Sequence, residues 1–278
     1  SAMASQTRAP HSVLIAVDRS EHAANAVSWV LDNLVAPSDT VVLLHVYGSK
    51  TPTVEQDKQL QLEGSALLQP FVDRCTEREA VARVILRVGD PRQVVTDVAE
   101  EEQPAVLVMG CRGLGAAKRV VVGSVTEHAS KHLQHTPVIA VKPRLARPDG
   151  ATERRVVIAI DKSDNSHRAF DWALEHVVAV GDVVVLVHCA ESAQDAAKGQ
   201  ENTREYFEAC KDRGIEAKIN FQQNVDPRDG VVDAVEEHQA DLLVIGSRGL
   251  GPLKRMFLGS VSDYALVHAS CPVAIIRG

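Results

Sequence analysis

Residues 13–31, VLIAVDRSEHAANAVSWVL, join a β-branched apolar run to a helical pattern through a short polar turn. The first five residues predict a buried strand, and the apolar residues after the turn recur three and four positions apart, as on one face of a helix. Ser20 is placed to cap the start of that helix. The segment therefore predicts a strand, a turn and a helix, with Asp18 just beyond the carboxyl end of the strand.

The same unit occurs a second time in residues 156–174, VVIAIDKSDNSHRAFDWAL. Asp161 follows Asp18 by 143 positions (161 − 18), and this offset holds without a gap through both segments. Later in each copy the offset falls to 136, the separation of two matching glycines at 110 and 246. We interpret the chain as a tandem duplication. We expect the second copy to lack seven residues between the positions of His45 and Asp90.

Each copy alternates short apolar runs with longer helical patterns, which is typical of βαβ units around a parallel sheet covered on both faces. The first copy has five such runs, at residues 13–17, 41–46, 82–88, 105–109 and 138–141. A stretch rich in Pro, Gly and charge, PRLARPDGATE, follows the first copy and predicts a linker. The expected organisation is one domain at 11–143, a linker at 144–154 and a second domain at 155–278.

Composition excludes several classes of protein. The 278 residues exceed the roughly 100–200 of one compact domain, and 45% hydrophobic content favours a globular chain over a disordered one. A net charge of -7 argues against a general surface for nucleic acid or anionic membrane. The five cysteines form no C-x-x-C pair, no apolar run approaches the roughly 20 residues of a membrane span, and no leader pattern is present. We expect a cytoplasmic protein.

Residues 110–128, GCRGLGAAKRVVVGSVTEH, follow the fourth predicted strand. They contain Gly110, two residues, Gly113, nine residues and then Gly123-Ser124. Residues 246–264, GSRGLGPLKRMFLGSVSDY, repeat this spacing. Glycines after a strand let the backbone approach a ligand, and a helix that begins at Gly-Ser offers free N–H groups, a hydroxyl and the positive end of the helix dipole. The pattern predicts phosphate binding in both copies.

Charged side chains near this loop are candidates for further ligand contacts. Asp18 and Asp161 could accept hydrogen bonds from ribose hydroxyls, and a helix-cap or turn role is the alternative. The cations of the loops would either attract an anion or form a solvated rim. They are Arg112, Lys118, Arg119, Arg248, Lys254 and Arg255. Two other phosphate motifs, G-x-x-x-x-G-K-S/T and a G-x-G-x-x-G after the first strand, do not occur.

The histidines and Cys111 favour structural interpretations. His45 and His188 lie inside apolar strands, where a hydrogen-bonded structural histidine is favoured over a ligand or a catalytic base. His132 and His268 match across the copies, and we expect them to pack or to lie on the surface. Cys111 is serine in the second copy, which indicates a small spacer. The sequence predicts neither a metal site nor a catalytic set.

These residues resemble the ATP-binding branch of the universal stress protein family, whose hallmark is G-x-x-G, nine residues, then G-S/T. The resemblance covers residues 13–142 and 155–277. It implies an α/β fold in two tandem copies, each a five-stranded parallel-sheet α/β sandwich of the adenine nucleotide alpha hydrolase-like type. It also implies that the last strands, Val138–Val141 and Val273–Ile276, pair as an intrachain pseudo-dimer, and it allows a homodimer.

The resemblance further implies one adenine nucleotide per copy, ATP or ADP or AMP, with Mg²⁺ bridging the phosphates. In the first copy it assigns the nucleotide contacts to Val17, Asp18, Val46, Met109, Gly110, Arg112, Gly113, Gly123, Ser124, Val125 and Thr126. In the second copy it assigns them to Ile160, Asp161, Cys189, Ile245, Gly246, Arg248, Gly249, Gly259, Ser260, Val261 and Ser262. The second copy departs from the first in having Cys189 at the position of Val46 and Val225 at the position of Gly89.

Three functions fit this sequence. The favoured one is a nucleotide-binding protein of the stress response that couples ATP occupancy to conformation or partner choice. A slow ATP hydrolase is the first alternative, but no paired carboxylates follow the glycine loop, and Glu127 and Asp263 are the nearest acids. A nucleotide-free dimerisation scaffold is the second, and both intact glycine patterns argue against it.

Overall fold

The structure is a computed structural model that describes residues 10–48, 52–111, 122–143, 153–190, 192–247 and 258–277. Both copies have the same order of elements. The first comprises β1 Ser12–Ala16, α1 Glu21–Asn33, β2 Thr40–Tyr47, α2 Val54–Glu77, β3 Val81–Val88, α3 Pro91–Glu102, β4 Val106–Gly110, α4 Ser124–His132 and β5 Val138–Val141. The second comprises β6 Arg155–Ala159, α5 Asp164–His176, β7 Val183–Ala190, α6 Ala193–Asp212, β8 Glu216–Gln223, α7 Pro227–Glu237, β9 Leu242–Gly246, α8 Ser260–His268 and β10 Val273–Ile276. The predicted strands of the first copy agree with these bounds to within one residue.

One ten-stranded sheet runs through both copies in the order β3-β2-β1-β4-β5-β10-β9-β6-β7-β8. Within each copy every strand pair is parallel. At the centre β5 and β10 pair antiparallel, with Ile139 opposite Ala274. We call this β5–β10 pair the seam. It confirms the expected pairing of the two last strands within one chain.

The sheet is covered on both faces, but the two faces differ. On one face α1, α2, α5 and α6 pack on a single core that crosses the seam through Ile139, Val141, Ala274 and Ile276. On the other face α3 with α4, and α7 with α8, cover separate cores. The core beneath α7 and α8 also includes Cys111 and Ala140 of the first copy, so the two copies share apolar interior on both faces of the sheet. None of the helices formed by the described residues is long and apolar enough to cross a membrane.

The register of the strands corrects the alignment of the copies. The offset is 143 in the second strands (183 − 40) but 135 in the third (216 − 81). It then rises to 136 at the helix caps Asp90 and Asp226. The second copy therefore lacks eight residues before its third strand and gains one after it, so the expected seven-residue deletion is a net value. Two residues of the second copy, Asn224 and Val225, therefore stand at the position of Gly89. The positive φ belongs to Gly89, at 144°, in the first copy and to Asn224, at 56°, in the second, and not to Val225.

Each copy extends one buried cation across the seam. Lys142 follows β5, and its Nζ donates to the carbonyl oxygen of Ala269, 2.6 Å away at the end of α8. Arg277 follows β10 at the equivalent position, and its Nη2 donates to the carbonyl of Ser130 in α4. Both side chains are almost fully buried. A cation at the C-terminal end of a helix interacts favourably with the helix dipole, so each copy stabilises the last helix of the other.

The ends of α1 and α5 are also joined across the copies. The ring of His11 meets the ring of His176 edge-on, with centroids 5.4 Å apart. At the equivalent position of the second copy, Nη1 of Arg154 donates to the carbonyl oxygen of Asn33 at 3.1 Å. The same offset of 143 relates His11 to Arg154 (154 − 11) and Asn33 to His176 (176 − 33). The two contacts are therefore related by the approximate twofold symmetry of the chain, with different chemistry in each.

Candidate functional site

The carboxyl ends of β1, β2 and β4 lie side by side, because β1 pairs in parallel with both neighbours. Gly110, the last residue of β4, also meets the start of α1. A Cβ atom at Gly110 would lie 2.2 Å from the carbonyl oxygen of His22, and one at Gly246 would lie 2.9 Å from that of Asn165. Only glycine permits this approach, which brings the first turn of α1 or α5 against the end of the fourth strand of its copy.

Helices α4 and α8 begin at the same edge of the sheet, and no side-chain hydrogen bond caps either of them. Their N-cap residues are Gly123 and Gly259, both in extended backbone conformation. Five other helices are capped by a side chain: Ser20, Thr53, Asp90, Ser163 and Asp226. The first-turn N–H groups of α4 and α8 are thus available to an anion, as far as the described residues show.

Asp18 and Asp161 occupy the turns that precede α1 and α5. In each, Oδ1 accepts from the backbone N–H of the N-cap serine two residues later, at 2.9 Å from Ser20 and 2.8 Å from Ser163. The same oxygen also accepts from the serine hydroxyl. The turn role considered as the alternative is therefore present. Among the described residues every recorded bond to the carboxylates uses Oδ1, so Oδ2 can still accept from a ligand.

His45 and His188 fix the backbone next to these aspartates. Nδ1 of His45 donates to the carbonyl oxygen of Val17 at 2.8 Å, and Nδ1 of His188 donates to that of Ile160 at 3.0 Å. A carbonyl can only accept, so the hydrogen is on Nδ1 in both rings. Each ring also faces a helix glycine, because a Cβ at position 64 or 199 would lie 3.1 Å or 2.2 Å from it. The structural interpretation of both histidines is confirmed.

The side chains of Thr126 and Ser262 face the protein interior. Ser262 Oγ donates to the carbonyls of Ser247 and Gly259, at 3.1 and 3.0 Å, which ties the start of α8 to the end of β9. Thr126 is equally buried at the equivalent position. A ligand can therefore contact only their backbone N–H groups. Beside Thr126, burial raises the pKa of the Cys111 thiol, which favours the spacer interpretation over a reactive thiolate.

The structure sorts the predicted site residues into three groups. The exposed or half-exposed ones at the edge of the sheet are Asp18, Val46, Gly110, Gly123, Ser124, Val125, Asp161, Cys189, Gly259, Ser260 and Val261. The buried ones, which can offer only backbone, are Val17, Met109, Thr126, Ile160, Ile245, Gly246 and Ser262. Arg112, Gly113, Arg248 and Gly249 lie outside the described residues, as do Lys118, Arg119, Lys254 and Arg255. Their assignments stay predictions.

Sequence reasoning missed one position beside the site. Val94 packs with Val46 and Val125 on the core beneath α3 and α4, and all three are partly buried. The equivalent of Val94 in the second copy is Gly230, four residues after the N-cap in both helices. A Cβ at Gly230 would lie 2.7 Å from Sγ of Cys189, so the larger side chain is excluded there. The change from Val46 to Cys189 is therefore coupled to the change from Val94 to Gly230. A comparison of the two sequences at the offset of 136 could have found this second change.

A polar network beneath Asp161 has no counterpart in the first copy. The backbone N–H of Asp161 donates to Ser166 Oγ at 2.9 Å, and Asn202 Nδ2 donates to the Asp161 carbonyl at 2.8 Å. Nearby, the Tyr206 hydroxyl lies 2.8 Å from Nδ1 of His167. Burial raises the pKa of Tyr206 to about 12, so the hydroxyl stays protonated at neutral pH. The turn of the second site is thus held by more hydrogen bonds than that of the first.

Fold and site together define a tandem α/β protein in which the last helix of each copy begins without a side-chain cap at the carboxyl edge of the sheet. The family model described as "Universal stress protein family" matches residues 10–142 and again 153–277. The chain belongs to the universal stress protein family. The expected fold class is confirmed, and the domain bounds proposed from the sequence stay a prediction.

Individual relatives agree with this membership. A universal stress protein of Mycolicibacterium smegmatis is 25% identical over 298 residues, which cover 98% of this chain and 99% of the relative. Universal stress protein PHOS32 of Arabidopsis thaliana is 28% identical over 47% of this chain and 67% of its own length. The crystal structure of a universal stress protein from Archaeoglobus fulgidus covers 96% of this chain and 98% of its own, with a TM-score of 0.76 and 22% identity. That last likeness supports the tandem fold.

Proposed function

We propose that the chain binds one adenine nucleotide in each copy and acts in the stress response of the cytoplasm, where nucleotide occupancy regulates its conformation or its choice of partner protein. One observation carries this proposal. Helices α4 and α8 begin at equivalent positions, neither has a side-chain cap, and each copy also holds an aspartate whose Oδ1 accepts from the backbone while Oδ2 remains able to accept from a ligand. An anionic group at the helix start and a hydroxyl near the aspartate match the phosphate and ribose of a nucleotide.

Each part of the nucleotide then has an assigned partner. Phosphate accepts from first-turn N–H groups, those of Ser124 and Val125 in the first copy and of Ser260 and Val261 in the second. Ribose hydroxyls donate to Oδ2 of Asp18 or Asp161. Adenine lies near Val46 or Cys189. The glycine-loop residues assigned from the family motif would complete the phosphate site. Mg²⁺ would bridge the phosphates of ATP, and no protein ligand is assigned to it.

Nucleotide binding is favoured over the two alternatives. Glu127, the nearest acid in the first copy, accepts from Lys131 one turn along the same helix at 2.6 Å, and Asp263 lies 4.0 Å from the same lysine. These pairings orient both carboxylates along the helix surface, which argues against a water-activating role in an ATP hydrolase. A dimerisation scaffold would use its last strand, but β5 and β10 already pair with each other. A homodimer would therefore need a different surface.

The test introduces an aspartate at each helix start. Gly123→Asp and Gly259→Asp should each supply the missing side-chain cap, because the N-cap backbone is already extended at both positions. The added carboxylate would bond the N–H groups that phosphate needs and repel the anion. We expect each variant to lose one bound nucleotide while the free energy of unfolding of the nucleotide-free protein rises by about 0.3 kcal/mol. The nucleotide is released from freshly purified protein, identified by mass spectrometry and counted per chain.

The matched control is Val180→Asp, which adds the same charge at an exposed position between α5 and β7, at the opposite edge of the sheet. It should keep both nucleotides. If the wild-type chain carries no nucleotide and binds none on titration with Mg-ATP, the scaffold alternative replaces this proposal. The hydrolase alternative replaces simple binding if the wild type converts added ATP to ADP faster than buffer does and the double variant Gly123→Asp/Gly259→Asp lacks this activity.

A further inference from the structure

The last helix of each copy is held at its two ends by different copies. Helix α4 begins at Gly123 of the first copy, and near its other end the carbonyl of Ser130 accepts from Nη2 of Arg277 in the second. Helix α8 is arranged in the same way, since the carbonyl of Ala269 at its end accepts from Nζ of Lys142 in the first copy. Each helix has nine residues and therefore spans about 13 Å between the proposed nucleotide site of its own copy and a cation of the other.

Both cations satisfy carbonyls that the helices leave open. In each helix the N–H of the C-cap residue bonds to the carbonyl four positions earlier. Ser130 of α4 and Ala269 of α8 come after that carbonyl, and both residues are fully buried. A buried carbonyl without a donor costs free energy comparable to a lost hydrogen bond. Removal of Arg277 or Lys142 should therefore displace the end of the helix until its carbonyl meets water.

In the second copy the start of α8 is bonded to the strand that carries Arg277. The N–H of Gly259 donates to the carbonyl oxygen of Ser247 at 2.7 Å, and the N–H of Ser247 donates to that of Ile276 at 2.8 Å. Ile276 directly precedes Arg277. The backbone of Arg277 thus lies beside the second site, whereas its side chain holds the helix of the first.

The first copy repeats this arrangement. Sγ of Cys111 is hydrogen-bonded to the backbone of Gly123 and to the hydroxyl of Thr126 at the start of α4. The N–H of Cys111 donates to the carbonyl oxygen of Val141 at 2.7 Å, and Lys142 is the next residue. The two helices, the two cations and these hydrogen bonds therefore form one closed path that passes through both sites.

We infer, on the basis of the nucleotide sites proposed above, that Arg277 positions the start of α4 and Lys142 positions the start of α8. The nucleotide site of each copy then depends on a side chain of the other. A nine-residue helix moves as one body because its internal hydrogen bonds fix its length, so displacement of its end also moves the first-turn N–H groups. Each cation is bonded to the end of the helix that is far from the phosphate, so its role is positioning.

An effect of charge alone would give the opposite pattern. Lys142 follows Val141, which is bonded to Cys111 beside the first site, whereas the start of α8 lies a helix length away. Coulombic attraction weakens with distance, so loss of charge alone in Lys142→Met would weaken binding mainly at the first site. Loss of position would instead weaken binding mainly at the second site. The site that weakens therefore identifies the cause.

The experiment measures the affinity of each site separately. Gly259→Asp leaves the first site and Gly123→Asp leaves the second. Both proteins, freed of bound nucleotide, are titrated calorimetrically with Mg-ATP at pH 7, where Lys142, with a pKa of about 8, still holds its proton. We expect Arg277→Met to weaken the first site by at least about fivefold, the lower end of typical coupling between sites, and the second by less than about twofold. Lys142→Met should show the reverse pattern.

Conservative variants and a charge control accompany these titrations. Arg277→Lys and Lys142→Arg should restore the affinity, because the chain itself uses one lysine and one arginine at these equivalent positions. Arg83→Met is the matched control, since Arg83 carries the same charge but lies on β3, at one end of the sheet, and is paired with Glu102. It should leave both affinities unchanged.

Circular dichroism establishes that each variant is folded. If Arg277→Met is not, Arg277→Gln replaces it, because glutamine is polar but too short to reach Ser130. Equal weakening of both sites, unchanged affinity at the opposite site or weakening confined to the copy that carries the substituted cation would overturn the inference and leave the nucleotide proposal intact. A wild-type chain without affinity for Mg-ATP would overturn both.

Discussion

The two copies share one backbone plan but support their candidate sites with different chemistry. Beneath Asp161 the second copy places Ser166, Asn202 and Tyr206, which form hydrogen bonds. The equivalent residues of the first copy are apolar: Ala23, Leu67 and Phe71. Both arrangements present the aspartate turn at the same edge of the sheet. Fold and turn position are therefore set by features that the copies share, and the supporting network is free to vary.

The shared features are few and specific. They are a glycine that ends the fourth strand, a histidine that donates to the end of the first strand and a last helix without a side-chain cap. Each acts through backbone geometry. The differences, in contrast, lie in side-chain volume and polarity. We expect these differences to give the two sites unequal affinity for nucleotide.

The largest effect should come from the glycines that end β4 and β9. Gly110→Ala would place Cβ 2.2 and 2.4 Å from two backbone atoms of His22, whereas Gly246→Ala would place it 2.9 Å from the backbone of Asn165. We expect a loss of about 3 kcal/mol in the free energy of unfolding for Gly110→Ala and about 1–2 kcal/mol for Gly246→Ala. Urea denaturation of both variants measures the difference.

Gly123→Ala is the control for this pair, because a Cβ there lies no closer than 3.8 Å to its neighbours. It should cost well under 1 kcal/mol, since alanine is only a poorer N-cap than glycine. Equal losses at 110 and 246 would show that the first copy relaxes around the methyl group as easily as the second.

The next effect concerns the cations of the seam, of which only one titrates near neutral pH. Burial lowers the pKa of Lys142 to about 8, from an ordinary value near 10.5. Between these two values the unfolded chain holds a proton that the folded chain has lost, so the free energy of unfolding rises with pH. From pH 8 to pH 9 we expect a rise of about 1 kcal/mol in the wild type relative to Lys142→Met.

Buried cysteine thiols oppose this rise at higher pH. Burial raises the pKa of Cys75 and Cys210 to about 11, which removes stability as pH increases above the ordinary thiol pKa near 9. This contribution is common to wild type and variant, and the difference between them isolates Lys142. Lys142→Arg would make the seam symmetric with Arg277, and because arginine stays charged it should remove the pH dependence. Parallel pH profiles for wild type and Lys142→Met would contradict the assignment.

The smallest effect should come from exchanging the networks beneath the aspartates. Tyr206→Phe gives the second copy the residue of the first and removes the 2.8 Å hydrogen bond to His167. The ring packing on Phe170, with centroids 4.7 Å apart, is kept. We expect a loss of about 1 kcal/mol in the free energy of unfolding. If the network also orders the second site, calorimetry should show weaker nucleotide binding at that site alone.

Phe71→Tyr is the reciprocal exchange in the first copy. Because Ala23 and Ala24 stand where the second copy has Ser166 and His167, the new hydroxyl would meet no equivalent partner. It should therefore reduce stability. A gain in the free energy of unfolding would mean that a polar group near the ring of residue 71 forms a hydrogen bond with the new hydroxyl.

The amino-acid sequence predicted the elements closely, and physical reasons explain where it failed. The β-branched runs and the cap Ser20 placed β1 and α1 to within one residue, because burial on both faces and capping are local requirements. Alignment of the two sequences places Val225 opposite Gly89, whereas Asn224 is the residue with positive φ at this turn. Because both copies have a residue suited to positive φ there, the composition of the turn does not reveal the residue added in the second copy. Single-residue insertions become visible only in the register of the strands.

Part of the candidate site depends on contacts that no single segment contains. Asp18, Gly123 and Ser124 were predicted and lie at one edge of the sheet, but the inward direction of Thr126 follows from its packing. Lys142 and Arg277 are buried only because the copies meet, so their role could not be inferred from either half.

The contacts at the ends of α1 and α5 have a genetic consequence. In a dimer of identical chains, one mutation near the twofold axis alters both sides of the interface at once and must suit its own copy. Here the equivalent positions belong to separate codons of one gene. His11 faces His176 while Arg154 faces Asn33, so a mutation in one contact leaves the other unchanged. Fusion of the copies therefore released the interface from the requirement of self-complementarity.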